Sequence, residues 1–343
     1  MKHPRLFLTL LMLAGLLTLF KVPLASSQGL TLMATKITDA LPVTDPAAAA
    51  WQQATAIEVP LSAQNITKPM FLSTRVKAIT VRALYNEAEI AFLVEWADDT
   101  KNDSMVRVQD FRDAVALQFP LVEGQPFFCM GQIGSNVNLW HWKADWQADI
   151  AARQDMETAY PNMNVDFYPF AKTAFPSPAD YADQNYVPAL AAGNLFAAVH
   201  TSPVEDLIAG GFGSITSQGA AGQNVQGFGA WANGKWRVIF NRALTSKETA
   251  DLQMSAGKQY FMALAAWDGA NNERNGMKST SQWITLQVGA PATAGPTTRP
   301  AETQQPYDFT GVLLMGVPML LVTLAVLGLA GALTVLANFG NRK

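Results

Sequence analysis

The chain has 343 residues, a net charge of −3 and only 15% charged side chains, while 49% of its residues are hydrophobic. This near-neutral balance, without a cluster of basic residues, argues against a nucleic-acid partner. A single cysteine, Cys129, excludes an intrachain disulfide, a thiolate zinc site, an iron–sulfur cluster and a CxxCH attachment motif, and three histidines leave little for imidazole metal sites.

Residues 1–27 have the pattern of a secretory signal peptide. A basic start precedes the uncharged stretch Leu6–Phe20, and small residues at Ala25 and Ser27 suit cleavage. The stretch is shorter than the roughly 20 residues that a membrane-spanning helix needs. We therefore expect an exported protein, with an uncleaved N-terminal anchor as the alternative.

Strand patterns recur between residues 55 and 288. Ile79–Tyr85 and Glu89–Trp96 alternate hydrophobic and other residues on either side of a short turn. Ala114–Phe119 shows the same alternation. Asn233-Gly234 separates two further strand segments and predicts a tight β-hairpin. These patterns favour an all-β domain.

The remaining segments of this region complete the predicted fold. Thr245–Met254 is predicted to form a short helix, and Lys258–Trp267 and Lys278–Val288 a final pair of strands. Arg153–Pro188 is rich in Pro, Tyr and Asp and is expected to be a long excursion from the sheets. Because strands and helices do not alternate, the sequence predicts a single β-sandwich with long loops.

The C-terminal region predicts a membrane anchor on a tether. Residues 289–308 are rich in Pro, Thr, Ala and Gln, which is typical of an extended linker. Gly311–Ala337 has no charged residue, and we expect a single transmembrane helix over residues 309–339. The basic tail, residues 340–343, favours a cytoplasmic C-terminus. Residues 28–288 are therefore expected on the extracytoplasmic, periplasmic side of the cell membrane.

The sequence contains no GxSxG elbow, no HExxH motif and no Walker loop. Two segments are conspicuous instead: Pro126–Gly131 continuing into Asn136–Trp146, and Trp267–Trp283. Taken alone, Met130 is most simply a core methionine, and His141 a hydrogen-bonded core histidine. Neither segment by itself indicates a reaction.

Lys278 is harder to explain as a structural residue. In a regular last strand it shares a face with Ile284, Leu286 and Val288, which places its amine at the mouth of an apolar surface. Burial disfavours the charged form of an amine, and a neutral lysine can be a metal ligand, as can a methionine sulfur. A bulge near Gly276 would invert this arrangement.

The two conspicuous segments together resemble the haem b-binding gamma subunits of type II molybdenum enzymes of the dimethyl sulfoxide reductase family. The resemblance rests on Cys129–Gly131 leading into Asn138–Trp146, and on Arg274–Trp283, and it extends over roughly residues 40–288. Relatives include ethylbenzene dehydrogenase, dimethylsulfide dehydrogenase, selenate, chlorate and nitrate reductases, and nitrite oxidoreductase. The resemblance implies a β-sandwich similar to DOMON-type cytochrome domains that binds one noncovalent haem b.

Carried over residue by residue, the resemblance implies that Met130 and Lys278 are the axial ligands of the haem iron. Met277 is a competing thioether, but its opposite parity in the strand makes it the weaker candidate. The composition agrees with this assignment, because a noncovalent haem with a Met/Lys pair needs neither paired cysteines nor a histidine.

The function implied by the resemblance is electron transfer without catalysis in this chain. The haem would pass electrons between an iron–sulfur (beta) subunit and a soluble or membrane cytochrome or other membrane carrier, while a molybdenum (alpha) subunit converts the substrate. The C-terminal anchor resembles arrangements in membrane-bound nitrite oxidoreductases and outward-facing nitrate reductases. The alternative is an anchored carbohydrate- or ligand-binding β-sandwich without haem.

Overall fold

The computed structural model describes residues 29–126, 130–164, 183–184 and 187–290. The predicted signal peptide, the anchor, the tail and nearly all of the predicted linker lie outside these residues. Within the described ranges, no helix combines the length and the apolar character needed to cross a membrane.

The described residues are mostly β, as predicted, and the α-helices among them are short. The strands are β1 (Thr31–Lys36), β2 (Ile57–Pro60), β3 (Ser62–Ala63), β4 (Ala78–Tyr85), β5 (Glu89–Ala97), β6 (Ala114–Pro120), β7 (Val137–Lys143), β8 (Val204–Ala209), β9 (Thr216–Ser217), β10 (Gln226–Trp231), β11 (Lys235–Ala243), β12 (Gln259–Trp267), β13 (Ser279–Thr280) and β14 (Ile284–Val288). The α-helices are α1 (Ala144–Ala151), α2 (Met156–Ala159) and α3 (Pro188–Ala191). Short 3-10 helices span Ala49–Gln53, Leu195–Ala197, Ala220–Gly222 and Gly269–Asn271.

The strands form one hydrogen-bonded network in the order β10-β11-β5-β4-β1-β14-β12-β6-β7-β8-β9. The network changes layer at β12, because Gln259–Met262 pairs with β14 whereas Ala263–Trp267 pairs with β6. We call the strands from β10 to β14 in this order layer A, and those from β6 to β9 layer B. Strand β1 runs parallel to both of its neighbours, so the network is mixed.

Aromatic side chains fill the space between the layers. The ring centroids of Phe92 in layer A and Trp140 in layer B are 5.9 Å apart, and those of Trp96 and Trp142 are 6.3 Å apart. All four side chains are buried in the largest apolar cluster. The two layers therefore face each other across a common core, which is consistent with the predicted β-sandwich.

The predicted hairpin is confirmed. Asn233 and Gly234 join β10 to β11 with φ angles of 54° and 68°. Positive φ at both central residues defines a type I′ turn, which Asn and Gly adopt with little strain.

The predicted helix at Thr245–Met254 is wrong, since this segment forms turns. The Ser246 hydroxyl accepts a hydrogen bond from the Glu248 amide at 3.0 Å, and the Gln253 side chain accepts one from the Ser246 amide at 2.8 Å. These side-chain bonds take the place of helical backbone bonds.

The last predicted strand, Lys278–Val288, is interrupted at residues 281–283. Strand β13 pairs with the second half of β12 and β14 with the first half. Ile284 and Leu286 pack between the layers, whereas Lys278 lines a cavity on the outer face of layer B. The predicted shared face is therefore wrong, because the interruption reverses the alternation of the strand.

The predicted excursion Arg153–Pro188 lies between two strands that pair directly. Val137 of β7 pairs with Ala209 of β8 in the antiparallel register. The chain therefore leaves layer B after β7 and returns to it at β8. Much of the excursion falls outside the described residues.

A buried polar network lies inside the sandwich. Asn138 and Gln218 both donate hydrogen bonds to Asp206 Oδ1, at 2.6 and 2.8 Å. Gln218 also donates to Asp251, which lies 3.7 Å from Arg242. Burial, reinforced by the charge of Asp251, raises the pKa of Asp206 to about 8. Asp206 is consequently protonated in the folded protein at neutral pH.

Asp206→Asn is expected to flatten the pH dependence of stability between about pH 5 and pH 8. Folded Asp206 keeps its proton in this window, while an unfolded aspartate has lost it above about pH 4. Folding therefore takes up a proton, and the free energy of unfolding falls by up to about 1.4 kcal/mol for each unit by which the pH rises. Urea denaturation across this window measures the slope. Asp39→Asn, at an exposed position, is the control, and an unchanged slope in Asp206→Asn would contradict the assignment.

Candidate cofactor site

A cavity of about 720 Å³ lies against the outer face of layer B. Its walls include alternate residues of four strands, among them Leu139 and His141 of β7. Trp140 and Trp142, the intervening residues of the same strand, point into the core between the layers. The cavity therefore lies on the opposite side of layer B from the core, and its volume is in the range of small-molecule and cofactor sites.

Alanines leave the floor of the cavity flat. Ala114 and Ala116 of β6 lie beside Ala263 and Ala265 of β12 in the antiparallel pairing, and all four line the cavity. All four are at least nine-tenths buried. Trp267 is the last residue of β12 and pairs with Ala114. Its ring forms an aromatic wall of the cavity. A flat apolar floor of this kind suits a planar ligand.

The cavity brings together the two residues predicted to be ligands. Lys278 Nζ donates a hydrogen bond to Met130 Sδ at 3.5 Å, and each residue is only 8% exposed. Lys278 Nζ also lies 5.2 Å from the centre of the Trp267 ring. A thioether and an amine that are 148 residues apart in the sequence thus meet at one wall.

The backbone around Met130 explains the glycine that follows it. Gly131 has a φ of +72°, and a Cβ there would lie 2.8 Å from the carbonyl oxygen of Ser135 and 3.0 Å from that of Ala209. The carbonyl of Met130 accepts a hydrogen bond from the Gly211 amide at 2.8 Å. Met130 is thus held by a turn that only glycine can complete.

Gln64 fixes the segment around Lys278 from the other side. The amide of Gln64 donates to the carbonyl of Lys278 at 2.9 Å, and its side chain donates to the carbonyls of Thr67, Pro69 and Gly276. Gln64 is 3% exposed. Its hydrogen bonds therefore tie the lysine-bearing segment to a separate loop.

The structure distinguishes between the thioethers near the site. Met277 is absent from the described lining of the cavity, whereas Met105 is part of it. Met105 Sδ lies 4.0 Å from Arg274 Nη2. Sequence reasoning missed Met105, because it lies in a loop without a strand pattern.

The sequence predicted that His141 is a core residue. In the structure it lines the cavity instead. Its ring lies 4.7 Å from that of Trp267, and its Nε2 is enclosed without a hydrogen bond from the described residues. Burial, followed by the positive charges of Lys143, Arg112 and Lys278, holds the pKa of His141 well below its usual value. His141 is therefore neutral near pH 7.

A buried ion pair forms another part of the wall. Lys143 bonds to Glu205, and Ser217 donates to the same carboxylate. Lys143 Nζ lies 3.8 Å from the centre of the Trp146 ring and 4.5 Å from that of Phe196. Burial lowers the pKa of Lys143 to about 8, against the opposing effect of Glu205.

The donor atoms and charges of the site fit a planar cofactor that carries a metal. Met130 and Lys278 offer a soft sulfur and, when deprotonated, an amine nitrogen, and both can bind a transition metal. Three more basic residues, Lys68, Arg112 and Arg274, line the cavity. Arg112 is paired with Asp145 at 2.7 Å, so Lys68 and Arg274 supply the positive charge for acidic groups on a ligand.

The comparisons with known proteins agree with this chemistry. A family model described as ethylbenzene dehydrogenase matches residues 48–279. The chain is 24% identical to a Haloferax mediterranei protein provisionally assigned as a respiratory nitrate reductase haem subunit. This alignment of 252 residues covers 73% of this chain and 70% of the relative. The chain is 23% identical to the chlorate reductase gamma subunit of Ideonella dechloratans. This alignment of 273 residues covers 77% of this chain and 89% of the relative.

Among solved structures, a family 9 carbohydrate-binding module from Caldicellulosiruptor kristjanssonii in complex with glucose aligns with 78% of this chain and 99% of its own. The identity is 6% and the TM-score 0.35. A likeness at this level carries no argument about function.

Lys143→Met is expected to lower the free energy of unfolding by about 3–5 kcal/mol, because it leaves Glu205 buried without its cation. Lys143→Met combined with Glu205→Gln should recover most of the loss. Urea denaturation measures both. Lys36→Met is the control, since Lys36 pairs with Glu87 at the surface and its loss should change stability little. A loss at Lys143 as small as that at Lys36 would contradict the prediction.

Proposed function

The chain belongs to the ethylbenzene dehydrogenase family, and we propose that it is the haem b electron-transfer subunit of a molybdenum-dependent oxidoreductase complex. The observation that carries the proposal is the contact between Met130 and Lys278 at the wall of a buried cavity. The names of two relatives, a nitrate reductase haem subunit and a chlorate reductase gamma subunit, support it.

Met130 and Lys278 would hold the iron of one noncovalent haem b. Lys278 Nζ and Met130 Sδ are 3.5 Å apart. Two metal–ligand bonds placed end to end are longer than this by less than about 1 Å. Small rotations of the two flexible side chains can widen the gap by that amount. The four alanines offer an apolar floor to the porphyrin, and Lys68 and Arg274 line the same cavity and can meet its carboxylates. Bound haem supplies reversible one-electron transfer, and a methionine ligand raises its potential.

The chain's own residues prepare this environment. Lys278 must be neutral to bind a metal. His141, neutral and beside Trp267, lines the cavity without adding charge. Two protein ligands to the iron would leave no coordination position open to a substrate, so we infer that the chain transfers electrons and does not catalyse the reaction.

The proposed setting follows from the sequence. Residues 1–27 direct export and residues 309–339 anchor the chain in the cell membrane, with the sandwich on the periplasmic side. An iron–sulfur subunit and a molybdenum subunit complete the complex. A soluble or membrane cytochrome, or another membrane carrier, exchanges electrons with the haem, as in complexes of the nitrite oxidoreductase or nitrate reductase type.

Titration of the purified full chain with haemin is expected to yield one low-spin b-type haem per chain. Met130→Ala and Lys278→Ala should each abolish the low-spin absorption spectrum, because each removes one axial ligand. Met277→Ala is the matched control and should leave the spectrum unchanged.

A chain that binds no haemin would contradict the proposed function and favour the ligand-binding alternative. Haem that is bound with an unchanged spectrum in both Met130→Ala and Lys278→Ala would instead contradict the ligand assignment.

Ala265→Leu is expected to weaken haemin binding about 10- to 100-fold, because a larger side chain on the cavity floor costs about 1–3 kcal/mol of overpacking when the ligand enters. The apo chain should keep its thermal stability, since the added side chain enters open space. Ala243→Leu, at an exposed strand position, is the control. Equal haemin affinity in Ala265→Leu and the wild type would place the cofactor elsewhere.

A further inference from the structure

Three buried carboxylates meet at one end of the sandwich. Asp98 follows β5, Asp113 precedes β6 and Asp268 follows β12. The antiparallel pairing of β6 with β12 brings Asp113 and Asp268 to the same edge. One oxygen of each carboxylate lies within 4.8 Å of the other two, and the residues are 7%, 0% and 5% exposed.

Two cations of the described residues pair with other acids: Lys101 with Asp103 and Arg112 with Asp145. Asp113 is instead oriented by neutral donors: its carboxylate accepts hydrogen bonds from the Asn102 and Gly269 amides and from the Trp236 indole. Three adjacent acidic groups therefore lie out of water.

Asp98 adds an independent observation. Its Oδ1 accepts hydrogen bonds from the amide and hydroxyl of Thr100 at 3.1 and 3.2 Å. Its Oδ2 is enclosed by protein, and neither it nor the neighbouring Trp96 indole nitrogen has a hydrogen bond of normal geometry among the described residues. A buried acceptor without a donor is rare in folded proteins and indicates a water molecule or an ion.

Carboxylate oxygens are the ligands that hard divalent cations prefer. Since one oxygen of each carboxylate lies within 4.8 Å of the other two, a single ion among them can lie within about 2.8 Å of all three. Calcium binds oxygen at about 2.3–2.6 Å in irregular geometry, whereas magnesium requires about 2.0–2.1 Å and a near-ideal octahedron. Three aspartates from separate segments favour the cation that tolerates irregular geometry, which is calcium.

We propose that Asp98, Asp113 and Asp268 bind one calcium ion. The ion joins the ends of strands from both layers. It also fixes the start of the segment 268–278, which ends at Lys278 in the cavity. Within that segment, Glu273 accepts a hydrogen bond from the Asp268 amide at 3.2 Å and lines the cavity.

The test uses the purified full chain without haemin, so its outcome is independent of the proposed electron-transfer function. After removal of metal with EGTA, isothermal titration with calcium chloride is expected to give one site per chain. Calcium at about 100 times its Kd should raise Tm by roughly 5–10 °C. Magnesium at the same concentration should have a smaller effect.

Asp98→Asn and Asp268→Asn should abolish calcium binding and the rise in Tm, while Asp99→Asn, at the exposed neighbouring position, should retain both. In EGTA, Asp98→Asn should be at least as stable as the wild type, because it removes a buried charge. Wild-type protein with no bound calcium and the same Tm in EGTA and calcium would overturn the proposal, as would full calcium affinity in Asp98→Asn. Should a variant fail to fold, the wild-type comparison still decides.

Discussion

The division of β12 between the two layers is the constraint on which the cavity depends. Its first half continues layer A through β14, and its second half, Ala263–Trp267, pairs with β6 in layer B. The chain after β12 must pair with both halves in turn, so it breaks at residues 281–283. This break directs Ile284 into the core and Lys278 to the outer face, where Met130 lies. A continuous last strand would have placed the lysine between the layers.

Layer B has a different kind of surface on each side. Its inner face carries Trp140 and Trp142, which pack against aromatic side chains of layer A and make the support rigid. Its outer face has alanines at the corresponding positions of β6 and of the neighbouring β12, so the surface is open where a ligand can lie. Large aromatic residues on the inner face of layer B thus pack against layer A, while small residues on its outer face leave room for a ligand.

Local pattern predicted the strands and the hairpin at Asn233-Gly234, because alternation and turn chemistry act over a few residues. The pairing of Met130 with Lys278 came from a resemblance, since no spacing rule relates residues that far apart. The errors had two physical origins. The face of Lys278 depended on the break after β13, and the segment 245–254 was governed by side-chain hydrogen bonds. The carboxylates of Asp98, Asp113 and Asp268 showed no sequence pattern, because strand pairing alone brings them together.

We propose that a methionine sulfur and a lysine nitrogen hold the iron of one haem. X-ray absorption at the iron edge, measured on the haem-loaded full chain, tests this most directly because it identifies the atoms bonded to the metal. We expect one sulfur neighbour and five nitrogen neighbours, four from the porphyrin and one from Lys278, with the sulfur lost in Met130→Ala. Six nitrogen neighbours, or a sulfur that persists in Met130→Ala, would contradict it.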